Sequence, residues 1–327
     1  MTLDRSRVRL RNRLGRRAWL LNLPAVLSAG LVAGVVGLVG GAPASAAAQP
    51  EPLPVLYNFP AAALISLANP NADPPGANDF SCRPSATHPL PVVLVHGTLA
   101  NKTNEWQAVA PLLKNDGYCV FAPNLGGDTP TSFLQATRPI EEIAAQLGVF
   151  VDQVLAATGA AKVDIVGHSL GGMFPRYYIN NLGGDTKVNS LIGLSPSNHG
   201  TTLLGLAKLG EAIGVTGPIE SFCASCIQQI AGSPFLTALN ANGGLRPGVR
   251  YTVIQTRYDE IVTPYTSAFL SGPNVRNITL QDTCILDGVD HTAIANDRVA
   301  LRHVQNALDP AHPRPAICVP VLPTIGG

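Results

Sequence analysis

Lys162-Val-Asp-Ile-Val-Gly-His-Ser-Leu-Gly-Gly172 is a short apolar run, a sharp glycine-flanked turn and the opening of a second pattern. Lys162–Val166 suits a strand buried on both faces, which shows as continuous apolar sequence. From Leu170 to Leu182 the spacing predicts a helix. A serine between them, with glycines two residues to either side, sits on a strained strand-to-helix turn. The glycines leave room for strand and helix to approach each other. A helix that starts at Leu170 aims the partial positive charge of its N-terminus at Ser169. The Leu170 N–H then faces any negative charge that develops beside the serine. A plain turn would need none of these features. Here the strand before and the helix after, the two conditions the motif demands, are both present.

Working outward, apolar runs and helical patterns alternate. Strands are expected at Pro91–Val95, Tyr118–Ala122, Val188–Leu194, Arg250–Gln255 and Val275–Leu280. Ile140, Ile143, Ala144, Leu147, Val151, Val154 and Leu155 fall at three- and four-residue spacings, the mark of an amphipathic helix. Thr292 to Leu308 reads as a final helix. The segment from Gln49 to Pro91 is rich in Pro, Ala and Asn without clear periodicity, and reads as a lead-in wrapped over the surface. Strands separated by helices make a mostly parallel sheet with helices on both faces. With the Ser169 turn this is the α/β-hydrolase fold, as one domain over 49–327 with no internal repeat. Thr201 to Asn242 is the exception to the alternation. It is helical in pattern, long, and carries Leu203, Leu204, Leu206, Leu209 and Ile213. It is either a small helical lid or ordinary packing helices, and both readings stay open.

The N-terminus differs in kind. Arg5, Arg7, Arg9, Arg11, Arg13, Arg16 and Arg17 face one acid, Asp4, and an uncharged run from Ala18 to Ala48 follows. A basic start, an apolar centre and the exit Ala44-Ser-Ala-Ala-Ala48 predict a secretory signal peptide over 1–46. An uncleaved anchor is the alternative, opposed by Asn22, Pro24 and the small-residue exit. Arg16-Arg17 is a weak hint of twin-arginine export. The whole chain of 327 residues has 22 basic and 21 acidic residues, a net +1. Without its first 48 residues it has 15 basic and 20 acidic, a net −5. Neither balance makes a basic patch for nucleic acid. All six cysteines follow that segment, and an even number in an exported chain implies disulfides. Pairing neighbours along the chain gives Cys82–Cys119, Cys223–Cys226 and Cys284–Cys318, though spacing does not select among the alternatives.

A serine hydroxyl is a poor nucleophile until a base takes its proton. In this fold the order along the chain is serine, acid, histidine. After Ser169 the histidines are His199, His291, His303 and His312. His291 lies in a loop between the last strand and the final helix, where the base belongs. His199 comes one strand early, His303 is inside a helix and His312 is in a proline-rich tail. The acid belongs on the loop after Arg250–Gln255, where Asp259 and Glu260 both qualify. Asp259 is preferred as nearer the strand end, with the shorter side chain. Asp287, Asp290 and Asp164 are weaker candidates. Thr98, after the first strand, is the expected second backbone donor beside Leu170, and His96 is read as holding that loop. No cofactor and no metal ligand set is expected.

Leu94-Val-His-Gly-Thr98, Val166-Gly-His-Ser-Leu-Gly-Gly172, Pro175-Arg-Tyr-Tyr178 and Leu194-Ser-Pro-Ser-Asn-His-Gly-Thr201 occur in order. So do Cys223-Ala-Ser-Cys-Ile-Gln-Gln-Ile-Ala-Gly-Ser233 and Thr256-Arg-Tyr-Asp-Glu-Ile-Val-Thr-Pro-Tyr265. From about Phe80 onward the chain resembles the secreted triacylglycerol lipases and esterases of actinomycetes, within the wider bacterial lipase family. The resemblance implies a Ser169–His291–Asp259 triad, Asp259 rather than Glu260, and lipid or other ester substrates met at an oil–water interface. It implies an extracellular enzyme with no stable membrane anchor after cleavage. Such relatives often have glutamine after the nucleophile. Leu170 supplies the N–H but no side-chain hydrogen bond, which bears on rate and chain-length preference rather than on reaction class. A short-chain esterase or an acyltransferase would carry the same triad. A protease or amidase fits the resemblance poorly, and a silent binding protein would be expected to have lost a triad member.

Overall fold

The computed structural model describes residues 51–202, 204–205 and 222–327. The expected signal peptide (1–46) lies outside the described residues. So does much of the candidate lid over 201–242, including Leu203, Leu206, Leu209 and Ile213.

Six parallel strands run in the order β2-β1-β3-β4-β5-β6. They are β1 (Val92–Val95), β2 (Val120–Phe121), β3 (Val163–His168), β4 (Val188–Leu194), β5 (Arg250–Gln255) and β6 (Val275–Thr279). The central β3 is buried along its whole length and pairs with β1 through Val93 opposite Ile165 and Val95 opposite Gly167. Alternation along β1 feeds two cores. Val93 and Val95 join Ile140, Ile143, Leu147, Met173 and Phe174 on one face. Val92 and Leu94 join Val109, Leu113, Val299 and Val304 on the other. Each such fully buried aliphatic side chain contributes about 1.5–3 kcal/mol of transfer free energy, which fixes the register against a one-residue slip.

The helices among the described residues are α1 (Phe59–Ala68), α2 (Lys102–Glu105), α3 (Val109–Asn115), α4 (Ile140–Thr158), α5 (Leu170–Met173), α6 (Pro175–Asn181), α7 (Ala224–Gln228), α8 (Pro234–Asn240), α9 (Leu280–Thr283) and α10 (Arg298–Leu308). The amphipathic α4 buries the residues its spacing predicted, except that Leu155 is half-buried. Glu141 and Glu142 in its first turn complement the helix dipole.

Four local expectations change. The lead-in contains α1, capped by the Asn58 side chain on the Ala61 N–H with Pro60 in its first turn. Its sequence is apolar nearly all round, so it has no amphipathic period to reveal it. The helix expected from Leu170 to Leu182 is two, α5 and α6, meeting at Phe174, because Pro175 has no N–H to continue the ladder. The final helix begins at Arg298, after a separate turn at Ile294–Asn296, where Asp297 accepts from the Ala300 N–H. The last strand ends at Thr279, with α9 starting at Leu280.

Three disulfides join Cys82 to Cys119, Cys223 to Cys226 and Cys284 to Cys318, the neighbour pairing expected. The described end of the 201–242 segment is α7 and α8, where Cys223, Cys226, Leu236 and Leu239 are buried. That end packs on the body of the domain.

Candidate active site

The turn after β3 places Ser169 at φ +53°, ψ −122°, a left-handed-side conformation that non-glycine residues rarely adopt. Holding it there costs on the order of 1–3 kcal/mol, and surrounding backbone fixes it. The Ser169 N–H donates to Leu194 O at 2.9 Å, and its carbonyl accepts the Gly172 N–H at 3.0 Å. A Cβ on Gly171 would lie 2.0 Å from the Val95 carbonyl oxygen, and one on Gly167 would lie 1.8 Å from that of Gly171. The motif glycines are therefore required by backbone packed against backbone.

Ser169 Oγ lies 3.0 Å from His291 Nε2, and His291 Nδ1 lies 2.9 Å from Asp259 Oδ2. A carboxylate only accepts, so Nδ1 carries the proton and donates to Asp259. Nε2 is then free to accept from the Ser169 hydroxyl. Both His291 and Asp259 are almost fully buried. Asp259 also accepts from Gln255 Nε2 at 2.9 Å and from the Ile261 and Val262 N–H groups at 3.0 and 2.7 Å. Burial alone would raise the Asp259 carboxyl, but the facing His291 and these hydrogen bonds hold it below the ordinary carboxylate range. Burial likewise opposes charge on His291, and the Asp259 carboxylate outweighs it, so the imidazole is pushed above the ordinary histidine value. Glu260 does a different job. Its carboxylate accepts the backbone N–H of His291 at 3.3 Å.

Thr98 and Ser169 line one cleft together with Phe59, Gly97, Ala100, Asn104, Glu105, His168, His291 and Thr292. The N–H groups of Thr98 and Leu170 make no hydrogen bond among the described residues. The loop between β1 and α2 is held from several sides. The Leu125 N–H donates to His96 Nε2 at 3.0 Å, while His96 Nδ1–H donates to Gly97 O. Burial lowers the His96 pKa, in keeping with a neutral ring that accepts at Nε2. Gln229 Nε2 donates to Thr98 Oγ1 at 2.8 Å, and Gln229 Oε1 accepts from Ser197 Oγ at 2.9 Å. Because Gln229 donates into the Thr98 oxygen, the Thr98 hydroxyl proton is left to point elsewhere.

The residues set aside lie elsewhere. His199 bonds Ser267 O, His303 the Thr283 hydroxyl and His312 Asp309. Asp164 is buried in β3, accepting from Ser190 and Asn189, and burial raises its pKa. Asp290 caps the turn after His291 through the Ala293 N–H. Sequence reasoning missed Gln229, Glu105 and the role of His168. Gln229 stands three residues after Cys226, inside the Cys223–Ser233 motif, where its neighbours give no sign of its role. Glu105 has no local signal.

A family model described as lipase (class 2) matches residues 89–303. A triacylglycerol lipase of Pseudarthrobacter phenanthrenivorans is 39% identical over 92 residues, covering 27% of this chain and 27% of that protein. A triacylglycerol lipase of Burkholderia plantarii is also 39% identical over 92 residues, 27% of this chain and 24% of that protein. The chain thus spans about a quarter of the length of these two relatives. The crystal structure of Aspergillus fumigatus lipase B superposes with a TM-score of 0.52 at 19% identity, over 75% of this chain and 57% of that one. This is a likeness of fold. The family match takes in all six strands and every residue from Thr98 to His291 that meets at the cleft, and on that basis the chain belongs to the class 2 lipase family.

Proposed function

We propose that the protein is a secreted serine hydrolase that cleaves carboxylic esters of lipids, with Ser169 as nucleophile, His291 as general base and Asp259 as the acid that orients it. The observation that carries this reading is the unbroken hydrogen-bonded line Asp259–His291–Ser169, ending beside the Thr98 and Leu170 N–H groups, which make no hydrogen bond among the described residues. The Ser169 hydroxyl proton passes to His291 Nε2 as Oγ bonds to the ester carbonyl carbon. The carbonyl oxygen becomes an oxyanion facing the two N–H groups, which strengthen their hold as its charge grows. Asp259 stabilises the imidazolium. Collapse breaks the bond to the alcohol oxygen, which takes the proton from His291. An acyl-enzyme on Ser169 remains. Water, deprotonated by His291, attacks it and releases the acid. The triacylglycerol lipases among the relatives support lipid esters as the substrate class.

The apolar N-terminal pattern and the three disulfides support export, with residues 1–46 removed as a signal peptide and 49–327 as the working domain. No helix among the described residues is long and apolar enough to cross a membrane. The test is hydrolysis of p-nitrophenyl esters from acetyl to palmitoyl, beside emulsified triolein, with Ser169→Ala as control. Turnover of triolein that vanishes in the variant is the expected result. Activity confined to short acyl chains would reassign the protein as an esterase. Turnover that survives in the variant would overturn the reading.

A further inference from the structure

His168, the residue before the nucleophile, points both ring nitrogens at atoms that only accept. Nδ1 lies 2.9 Å from Glu105 Oε2, and Nε2 lies 2.9 Å from the carbonyl oxygen of His291. A neutral imidazole has one N–H and meets only one of these. The second contact requires a second proton. His168 and Glu105 are both about 4% exposed, so the contact between them is made in a buried setting. The same Oε2 also accepts the Gly97 N–H at 2.8 Å.

The contacts join three segments. Glu105 ends α2, Gly97 belongs to the loop that presents the Thr98 N–H, and the His291 carbonyl belongs to the loop that carries the proposed base. His168 sits on β3 between them, its ring 4.8 Å from that of His291. We infer that Glu105 and His168 form a buried ion pair, with His168 as an imidazolium, which positions the oxyanion loop and the His291 loop around Ser169. This rests on the proposed function only for what the positioning serves; the protonation state rests on the two contacts and on an ionised Glu105.

On the Glu105 side electrostatics agree. Burial would raise the Glu105 carboxyl, but the charge and hydrogen bond of His168, with the Gly97 N–H, hold it below the ordinary carboxylate range. The other ionisable groups nearby are His96, acting on Glu105, and Asp259 and Glu260, acting on His291. His96 is spent on Leu125 and Gly97, Asp259 on the His291 ring and Glu260 on the His291 N–H. Glu105 is left as the carboxylate that bonds the His168 ring. The pair is net neutral, so His291 can become charged during acylation beside an imidazolium whose field is already offset. A buried ion pair adds little net stability, because desolvation opposes its attraction. Its effect is on placement.

Ring-nitrogen NMR of the full protein labelled with 15N-histidine tests this without reference to any substrate. His168 is assigned by the signals missing in His168→Asn or, should that variant not fold, by the signals displaced in Glu105→Gln. The expected result is His168 with a proton on each ring nitrogen. A neutral ring there, with the proton on Glu105 or lost, would overturn the inference. Glu105→Gln keeps an acceptor for the Gly97 N–H and removes the charge. It should take the second proton from His168 and lower kcat about 10- to 100-fold, with KM within about twofold. An unchanged kcat beside a neutral His168 would overturn the positioning role. If neither the parent nor the variant hydrolyses esters, the proposed function fails while the NMR result still stands.

Discussion

The turn that carries Ser169 and the loop that carries Thr98 lie side by side and are held in opposite ways. The turn is fixed by its own backbone and by the strands beside it. Glycines 167 and 171 let main chain touch main chain, and the Ser169 N–H bonds the neighbouring β4. The Thr98 loop is fixed by side chains and backbone groups from distant points of the chain. Glu105 holds Gly97, the Leu125 N–H holds His96, Gln135 pairs with Leu99 and Ala100, and Gln229 holds Thr98. A local device tolerates almost no change but needs few partners. A dispersed one degrades by steps as each tie is cut.

Substitutions should separate the two. The largest effect is at the proposed nucleophile, where Ser169→Ala should cost about 10⁶ in turnover while the melting temperature stays within a few degrees. Next comes the turn itself. Gly171→Ala drives a methyl into the Val95 carbonyl and should destabilise the fold by about 4 kcal/mol or more, read as the loss of a cooperative thermal transition. A Gly171→Ala protein that melts like the parent would show that the turn yields where the contact distances say it does not.

The Thr98 loop should respond in kinetics more than in stability. Gln229→Ala leaves the Thr98 hydroxyl and Ser197 without a partner and should lower kcat about 10- to 100-fold, with KM within about twofold. Steady-state rates on a single soluble ester would show it, and an unchanged kcat would mean that Thr98 is placed without Gln229.

The pH dependence follows from His291, which as the proposed base must be neutral to accept the serine proton. Its pKa is pushed above the ordinary histidine value by Asp259, so kcat/KM should rise with pH through a midpoint above about 6.5. In Asp259→Asn the residual activity should rise through a lower midpoint, and rate–pH profiles of both proteins test this.

The smallest effect concerns the His291 loop, which is also held from a distance. Asp287 in that loop accepts the Val289 N–H, and Asp297 caps α10. Burial and the Asp287 charge push Asp297 up to about 7. An unfolded aspartate titrates near about 3.9. Between those values the folded state binds more protons, so stability falls as pH rises, and the fall is complete above about 7. Asp297→Asn keeps a capping oxygen and removes the titration. Thermal melts from pH 5.5 to 8.5 should therefore slope down in the parent and be flatter in the variant.

This contrast also explains what could be read in the sequence. Strand β3, the Ser169 turn and α4 announce themselves by local pattern, and the residues flagged there occupy the places expected. Asp259 and His291 were reachable because chain order in the fold constrains them, and the structure brings both to Ser169. Side-chain length and strand position favour Asp259 over Glu260. In the structure Glu260 bonds the His291 backbone instead of the ring. α1 escaped notice because a helix apolar on every side has no period. Glu105 and Gln229 escaped because their partners lie 8 and 131 residues away, as Gly97 and Thr98. A glutamine or glutamate in a short helical stretch carries no sign of what it will reach.

The central claim is that Ser169 is the nucleophile of a serine esterase. Stoichiometric reaction with an alkyl fluorophosphonate, followed by peptide mass spectrometry, tests it most directly. The account predicts one adduct per chain on the peptide containing Ser169, matched by loss of ester turnover, and none in Ser169→Ala. No adduct at Ser169 in a protein that still turns over ester would contradict it.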